Sequence, residues 1–428
     1  MQNSSAFAPK DLTVPSAAWT AEKLHSWKEI ASFFHKEVRT VQLWEKGEGL
    51  PVRRQHHKKL GSVYAYRHEL EGWWSARSAL SGGAAARELP GERPMRQNAP
   101  PSIDAAACEH GPAYHACMMG SHFWKQRTRT DLMKALGYFQ DAVLLDPLCS
   151  DAYAGLTDTY VSLSYNHFMP ARGAMEAAHR AVAMALMLDP KSIKVRNAEI
   201  NFKKNCIWDW ESAERACQEM VNAGSIEPRT LQLYADLMIN LGRSCDAISL
   251  ALHAHRIEPL SESANSQVSF AYFYAGDYES AISFIRRTIA LRPLFHIGHA
   301  LLGRAEAQRG NWDEAIESFR RGLSLSSNSI SLKALLAYAY AGRGDAPIAN
   351  GILREIEERR DDACFPAVDV SAVYAMLNQE DKALQNISRA YYLRDIKVAY
   401  MRHDPRFSRL RALPQFQQIA SSVLACPS

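Results

Sequence analysis

Long apolar runs are missing from this chain: nothing in its 428 residues approaches the roughly 18 consecutive apolar residues of a membrane span. The opening stretch, MQNSSAFAPKDLTVPS, lacks the charged start and apolar core of a secretory leader. The eight cysteines, at 108, 117, 149, 206, 217, 245, 364 and 426, include no CxxC pair, so reduced, mostly buried thiols in a cytoplasmic protein are expected. Cys108, His110, His115, Cys117 and His122 crowd together, but their spacing matches no standard zinc site and no metal is expected. There is no GxxxxGK(S/T) phosphate loop, no GxSxG elbow and no HExxH pair. The chain is therefore expected to be no enzyme and to need no cofactor. Charge of one sign is also scarce, with a net +4 overall, so any positive field must be local.

What is present is a period. Alanine recurs at Ala213, Ala247, Ala281, Ala315, Ala349 and Ala383, in steps of 34 residues. Glycine stands five residues earlier at Gly242, Gly276, Gly310 and Gly344, where a helix must end and reverse. Prolines at 147, 190, 259 and 293 stop the second helix of four units. From Tyr114 onward the pattern is helical throughout, with no run of strand alternation. Small residues at Gly303, Ala315 and Gly322 let backbones approach, while Leu302 and Phe319 fill the gaps between them. Two earlier units place their alanines, Ala135 and Ala178, 43 residues apart, which predicts a loop of nine extra residues around 166–174. In one unit Cys206–Glu211 replaces the glycine turn.

This pattern resembles the tetratricopeptide repeat. The resemblance implies a mainly all-α fold, an α-solenoid of about eight helix pairs over 113–428 with a C-terminal cap. His403–Phe416 resembles the closing motif of repeat arrays in bacterial regulators, and residues 414–424 are expected to supply the capping helix. The resemblance also assigns Leu233, Asp236, Phe270, Phe273, Tyr274, Leu301, Arg304, Leu335 and Tyr338 to the concave groove, which should be largely apolar and aromatic. Its expected occupant is a peptide with apolar side chains or a helix of the protein itself; the alternative is that these residues pack against each other or against a neighbouring subunit.

The first residues are organised differently. Residues 1–24 are polar and irregular, a disordered tail. In 25–75, Ile30, Ala31 and Phe34, then Val41 and Trp44, have the spacing of a helix-turn-helix core. Gly49-Leu-Pro breaks the second helix, and Val52–Tyr66 alternates around a Leu-Gly-Ser turn. Between Lys36 and Arg67 eight basic residues face three acidic ones, a local balance of +5 that would attract a phosphate backbone. Residues 76–112, crowded with Gly, Pro, Ala and Ser, read as a flexible linker.

Trp27-Lys-Glu-Ile-Ala, Val38-Arg-Thr-Val-Gln, Trp44-Glu, Gly49-Leu-Pro and Gly61-Ser-Val-Tyr-Ala-Tyr resemble the winged helix-turn-helix of MerR and excisionase-like DNA-binding proteins. The resemblance departs at His35, Lys36 and Glu37, where such turns usually carry Gly, an apolar residue and Ser or Asp. It implies double-stranded DNA as a partner, with Lys36, Arg39, Thr40 and Gln42 on the recognition helix and Arg53, Arg54, His57, Lys58 and Lys59 on the wing. The expected protein is a bacterial, cytoplasmic, sequence-specific transcriptional regulator. Its solenoid would bind a protein partner or mediate self-association, as in a homodimer on paired half-sites. The alternative is a non-enzymatic interaction scaffold whose helix-turn-helix is degenerate.

Overall fold

The computed structural model describes residues 23–24, 26–34, 38–48, 50–55, 62–66, 69–70, 73, 111–224, 227–326, 329–358 and 364–424. They fall in two units, 1–100 and 101–428.

In the first unit, helix α1 (Trp27–Phe33) is capped by Ser26, whose hydroxyl accepts from the Glu29 N–H at 3.2 Å. Helix α2 (Val38–Glu48) follows. Strand β2 (Arg53–Gln55) then pairs antiparallel with β3 (Ser62–Tyr66), Arg54 opposite Val63. The free edge of β3 takes a short strand β1, Lys23–Leu24, with Lys23 opposite Tyr66, giving the order β1-β3-β2. The end of the tail assigned to 1–24 is thus built into the sheet, because an open strand edge offers unpaired backbone donors and acceptors. Ile30, Ala31, Phe34, Val41, Trp44, Leu50, Ala65 and Leu70 form the small core. Trp73 closes it, 5.8 Å from Trp44 and 6.0 Å from Phe34 between ring centres.

The second unit is helical. Among the described residues it holds eight helix pairs, numbered here as repeats 1 to 8. They are Pro112–Gln126 with Arg129–Leu145, Ser150–Tyr165 with Ala171–Leu188, Ile193–Phe202 with Trp210–Asn222, and Pro228–Asn240 with Ser244–Ile257. Then come Glu262–Ala275 with Tyr278–Leu291, His296–Gln308 with Trp312–Leu325, Ile330–Arg343 with Ala346–Glu358, and Ala367–Met376 with Glu380–Tyr392.

The six periodic alanines lie where the two helices of a repeat cross, and all six are 0% exposed. No larger side chain fits there without pushing the backbones apart. The alanine carbonyl is bound in two repeats: Ser269 donates to Ala281 and Ser371 to Ala383. At Gly303 a β-carbon would meet the Phe319 ring at 2.7 Å, which is why glycine and a large aromatic face each other there. Five residues before each alanine the chain is left-handed, whatever its side chain. Gly242, Gly276, Gly310 and Gly344 have φ of 76–99°, Trp208 has 59° and Asn378 has 58°.

The nine extra residues between repeats 1 and 2 are not one loop. The connection is only 166–170. Ser150–Tyr165 runs 16 residues against 13 for His296–Gln308, and Ala171–Leu188 begins earlier before its alanine than the later repeats do. Extending a helix satisfies each added backbone group internally, which a long loop does not. In repeat 3, Ile193–Phe202 widens into a π-helical turn at Lys203–Ile207 before the left-handed Trp208.

After repeat 8 the chain forms two 3₁₀ turns, Ile396–Tyr400 and Pro405–Phe407, and a last helix, Pro414–Leu424. That helix buries Phe416, Ala420 and Val423. The segment before it turns inward, into the concave side of the solenoid.

Candidate partner-binding cavity

The inward segment, 395–407, carries a charged or polar group at nearly every turn, and Asp395, Lys397, Tyr400, Asp404 and Arg406 each find a partner from a distant repeat. Asp395 lies 3.0 Å from His167 Nε2 in repeat 2, whose Nδ1 is 3.0 Å from the Ser331 hydroxyl in repeat 7. The Lys397 ammonium donates to Asp369 at 2.7 Å and to Ser331 at 2.9 Å. Tyr400 donates to Asp236 at 2.8 Å, and the same carboxylate accepts from the fully buried Lys204 at 2.6 Å. Arg406 bridges Asp404 (2.7 Å) and Asp369 (3.0 Å), with Arg304 3.5 Å from Asp404. Repeats 2, 3, 4, 6, 7 and 8 are tied together through this one strap.

Electrostatics holds the strap in its charged form. Burial alone would raise the Asp369 carboxyl, yet Lys397 and Arg406 beside it keep it well below the usual carboxylate range. Asp404 is depressed in the same way by Arg406 and Arg304, against its burial. Tyr400 is pushed well above an ordinary phenol by burial and by Asp236, so it stays a donor.

Beside the strap lies a cavity of about 1190 Å³ running along the first helices of the repeats. Eight Lys or Arg and eight Asp or Glu side chains line it. A ladder of amides crosses one wall: Asn197 donates to Glu227 at 2.8 Å, Asn201 to Asp158 at 2.6 Å and Asn205 to Asn201 at 2.7 Å. Every member is a satisfied polar group, which makes the wall rigid.

The residues assigned to the groove from sequence divide. Leu233, Asp236, Phe270, Tyr274, Leu301, Arg304 and Leu335 line the cavity. Phe273 and Tyr338 do not: both are 3% exposed, Phe273 packing with Ala281 and Ile282 and Tyr338 accepting from Gln308 at 3.1 Å. They sit one step round the helix, between neighbouring repeats rather than on the inner face. The expectation of a largely apolar groove also needs correction. Its leucines come from repeats 4 to 7, but so do Arg229, Asp236, Glu262, Arg292 and Arg304, while repeats 2 and 3 contribute the asparagine amides and the strap adds further charge. Asp236 is committed to Lys204 and Tyr400, and Arg304 to Asp404 and Tyr274, which it reaches at 3.2 Å. The assignment missed Trp124, Arg127, Asn197 and Asn201. Only the asparagines left a trace in the sequence, polar residues four apart on a face that elsewhere carries leucine.

In the first unit, Val41 and Trp44 are buried while Arg39 is exposed and Gln42 half-buried on α2. Thr40 lies on the same helix. Arg53 is an exposed strand residue that pairs with Glu69 at 2.6 Å and lies 5.0 Å from the Tyr66 ring, so its charge is partly spoken for. Arg54 lies in the same strand. His35, Lys36, Glu37, His57, Lys58 and Lys59, with most of the linker, lie outside the described residues. Among the described residues no helix is long and apolar enough to cross a membrane, and no cluster of His, Cys, Asp and Glu has the makings of a metal site.

Comparison with known proteins bears on the repeats. A tetratricopeptide repeat model matches residues 271–330. No curated protein matches the chain. Among solved structures, the Cut9 and Hcn1 hetero-tetramer of APC/C is similar at 14% identity and a TM-score of 0.50, over 76% of this chain and 57% of that one. A tetratricopeptide repeat protein from Parabacteroides merdae is similar at 16% identity over 57% of this chain and 97% of its own, with a TM-score of 0.39. The human IFIT1 dimer with m7Gppp-AAAA is similar at 15% identity over 66% and 72%, with a TM-score of 0.47. At these identities the likeness concerns the fold alone: residues 271–330 match the tetratricopeptide repeat, and helix pairs of the same kind run through the rest of the second unit.

Proposed function

We propose that the chain is a non-catalytic scaffold that holds a segment of a protein partner in the concave cavity of its repeats. The observation that carries this reading is the cavity itself, about 1190 Å³ and continuous along the inner helices, with apolar and hydrogen-bonding walls side by side. That mixture suits a peptide, whose backbone needs hydrogen bonds and whose side chains need apolar contact. The test is selection of short random peptides on the full chain and on a Leu301→Arg variant. Leu301 is a half-buried wall residue, so the charge should block the cavity without unfolding the repeat. Peptides that bind the wild type and fail on a variant of equal helicity support the reading. Equal binding to both, or none to either, sinks it.

A second reading adds sequence-specific DNA binding by the first unit, with the chain acting as a cytoplasmic bacterial transcriptional regulator and two copies pairing on adjacent half-sites. It is favoured by α2, which buries Val41 and Trp44 and leaves Arg39 exposed at its N-terminal end. Binding to a mixed duplex library, measured against salt for the wild type and an Arg39→Ala/Gln42→Ala double variant, decides it. A motif that the double variant loses supports recognition through α2, and binding by charge alone removes it.

A further inference from the structure

One corner of the cavity holds two guanidinium groups with no carboxylate in hydrogen-bond range of either. At the end of its first helix, repeat 1 presents Trp124 and Arg127. The indole N–H donates to the Ser162 hydroxyl at 3.0 Å and the Asp158 carbonyl at 3.1 Å, which fixes the ring. Arg127 lies 3.6 Å from the centre of that ring and donates to Ser162 at 2.5 Å. Arg229, from repeat 4, approaches the same ring at 5.0 Å. Two guanidinium groups therefore converge on one indole.

Asp158 is the carboxylate recorded against them, and it is poorly placed. It stands 3.6 Å from Arg229, outside hydrogen-bond range, and already accepts from Asn201 at 2.6 Å. The Arg229 Nε is buried without a hydrogen-bond partner. Arg127 has no carboxylate partner among the described residues. Of the other cations of the cavity, Lys194 pairs with Asp151, Arg292 with Glu262, Lys397 with Asp369, and Arg304 and Arg406 with Asp404, while Lys125 is exposed to solvent. Burial and then repulsion by Arg229 push the Arg127 guanidinium down to about 9, a state that a bound anion would relieve. A half-buried guanidinium without a close carboxylate is costly, and its planar fork matches an oxyanion in two-point contact.

We propose that Arg127 and Arg229 grip a single carboxylate, the side chain of an aspartate or glutamate in the peptide that occupies the cavity. This rests on the scaffold reading above. A multiply charged ligand fits poorly, because the same cavity presents eight acidic groups, Asp158 and Glu227 close at hand among them. The amides of Asn197 and Asn201 stand on the same wall and are already bound to acids, which leaves the two arginines as the half-buried groups there without a carboxylate in hydrogen-bond range.

The experiment uses the full chain and the peptides selected on it. Expected is an acidic residue at one fixed place, whose amide counterpart (Asp to Asn, Glu to Gln) binds about tenfold more weakly, or about 1.4 kcal/mol. With Arg127→Gln or Arg229→Gln, acidic and amide peptides should bind alike, while Arg127→Lys keeps part of the difference. The Arg229 and lysine variants guard against a fold effect at Arg127. Peptides that need the cavity but carry no fixed acid, or whose amide forms bind wild type equally, overturn this proposal and leave the scaffold intact. If no peptide binds, both fall. Stronger competition by inorganic phosphate than by acetate at equal ionic strength also overturns it, since it would make the corner a phosphate site.

Discussion

Repeats 4 to 7 and repeats 1 to 3 are made from the same helix pair, yet they are put to different use. In the later group the turn glycine is present in all four, the spacing is constant, and the inner face carries Leu233, Phe270, Leu301 and Leu335. In the earlier group the spacing drifts, a π-turn replaces regular helix at Lys203–Ile207, and a tryptophan occupies the left-handed position. The inner face there carries Asn197, Asn201, Asn205 and Arg127, and Lys204 is fully buried. The strap spans the two groups and joins them with ion pairs. Regularity maintains packing, and the departures from it coincide with the asparagine ladder and Arg127, added to a face that already carries Asp236 and Arg304.

The comparison breaks most sharply at Lys204. Its side chain is 0% exposed and holds Asp236, which also receives Tyr400 from the strap. Lys204→Met leaves a carboxylate in the interior with one donor fewer, and removing one partner of a buried pair costs about 3–5 kcal/mol. The double variant Lys204→Met/Asp236→Leu should recover most of that loss, because neither charge is then left alone. Urea unfolding of the three proteins measures it. A single variant as stable as wild type would show that the strap is not anchored at repeat 3.

A smaller effect separates the groups by pH. Burial, with His299 adding repulsion against the pull of Asp131, lowers the imidazole of His296 in repeat 6 from 6.5 to about 4. The unfolded chain then binds a proton across that window and the folded chain does not. Stability is therefore full above pH 6.5 and falls as the pH drops toward 4, at up to about 1.4 kcal/mol per unit. His296→Phe should flatten that slope. The strap carboxylates behave differently: Asp369 and Asp404 are depressed, so their contribution is present above the unfolded value of 3.8 and is lost only as pH falls through their lower folded values. Thermal melts from pH 7 to 3 of the wild type and the variant separate the two, and an unchanged slope in His296→Phe would place the proton elsewhere.

What was legible in the sequence follows from the same division. The 34-residue period located all six crossing alanines and four left-handed turns, because close helix contact admits few side chains and a reversal favours glycine. The inner face was half legible. Its apolar part repeats with the period, so seven of the nine assigned residues line the cavity, whereas Phe273 and Tyr338 required knowing the rotation of each helix. The strap was not legible. Its contacts join Tyr400 to Asp236 and Asp395 to His167, 164 and 228 residues apart, and no local pattern encodes a pairing at that range.

The finest comparison lies at the left-handed position itself, where glycine, asparagine and tryptophan occupy one conformation. A β-carbon at Gly276 would meet nothing within 4 Å, so Gly276→Ala isolates the backbone term and should cost about 1–2 kcal/mol. Asn378→Gly runs the other way. It relieves the strain of a φ of 58°, but gives up an exposed hydrogen bond from Arg409 and adds unfolded-chain entropy. The net change should lie within about 0.5 kcal/mol of zero, since asparagine tolerates this region better than most residues. Trp208→Gly should destabilise although it relaxes the same strain. The indole is 2% exposed, stacks with Tyr391 at 5.9 Å and lies under Arg394 at 4.5 Å, and burying a large aromatic outweighs a turn. Chemical unfolding of the three variants orders them. If Trp208→Gly were the stabilising one, repeat 3 would be an imperfect copy of its neighbours, and the tryptophan would have no part in seating the end of repeat 8.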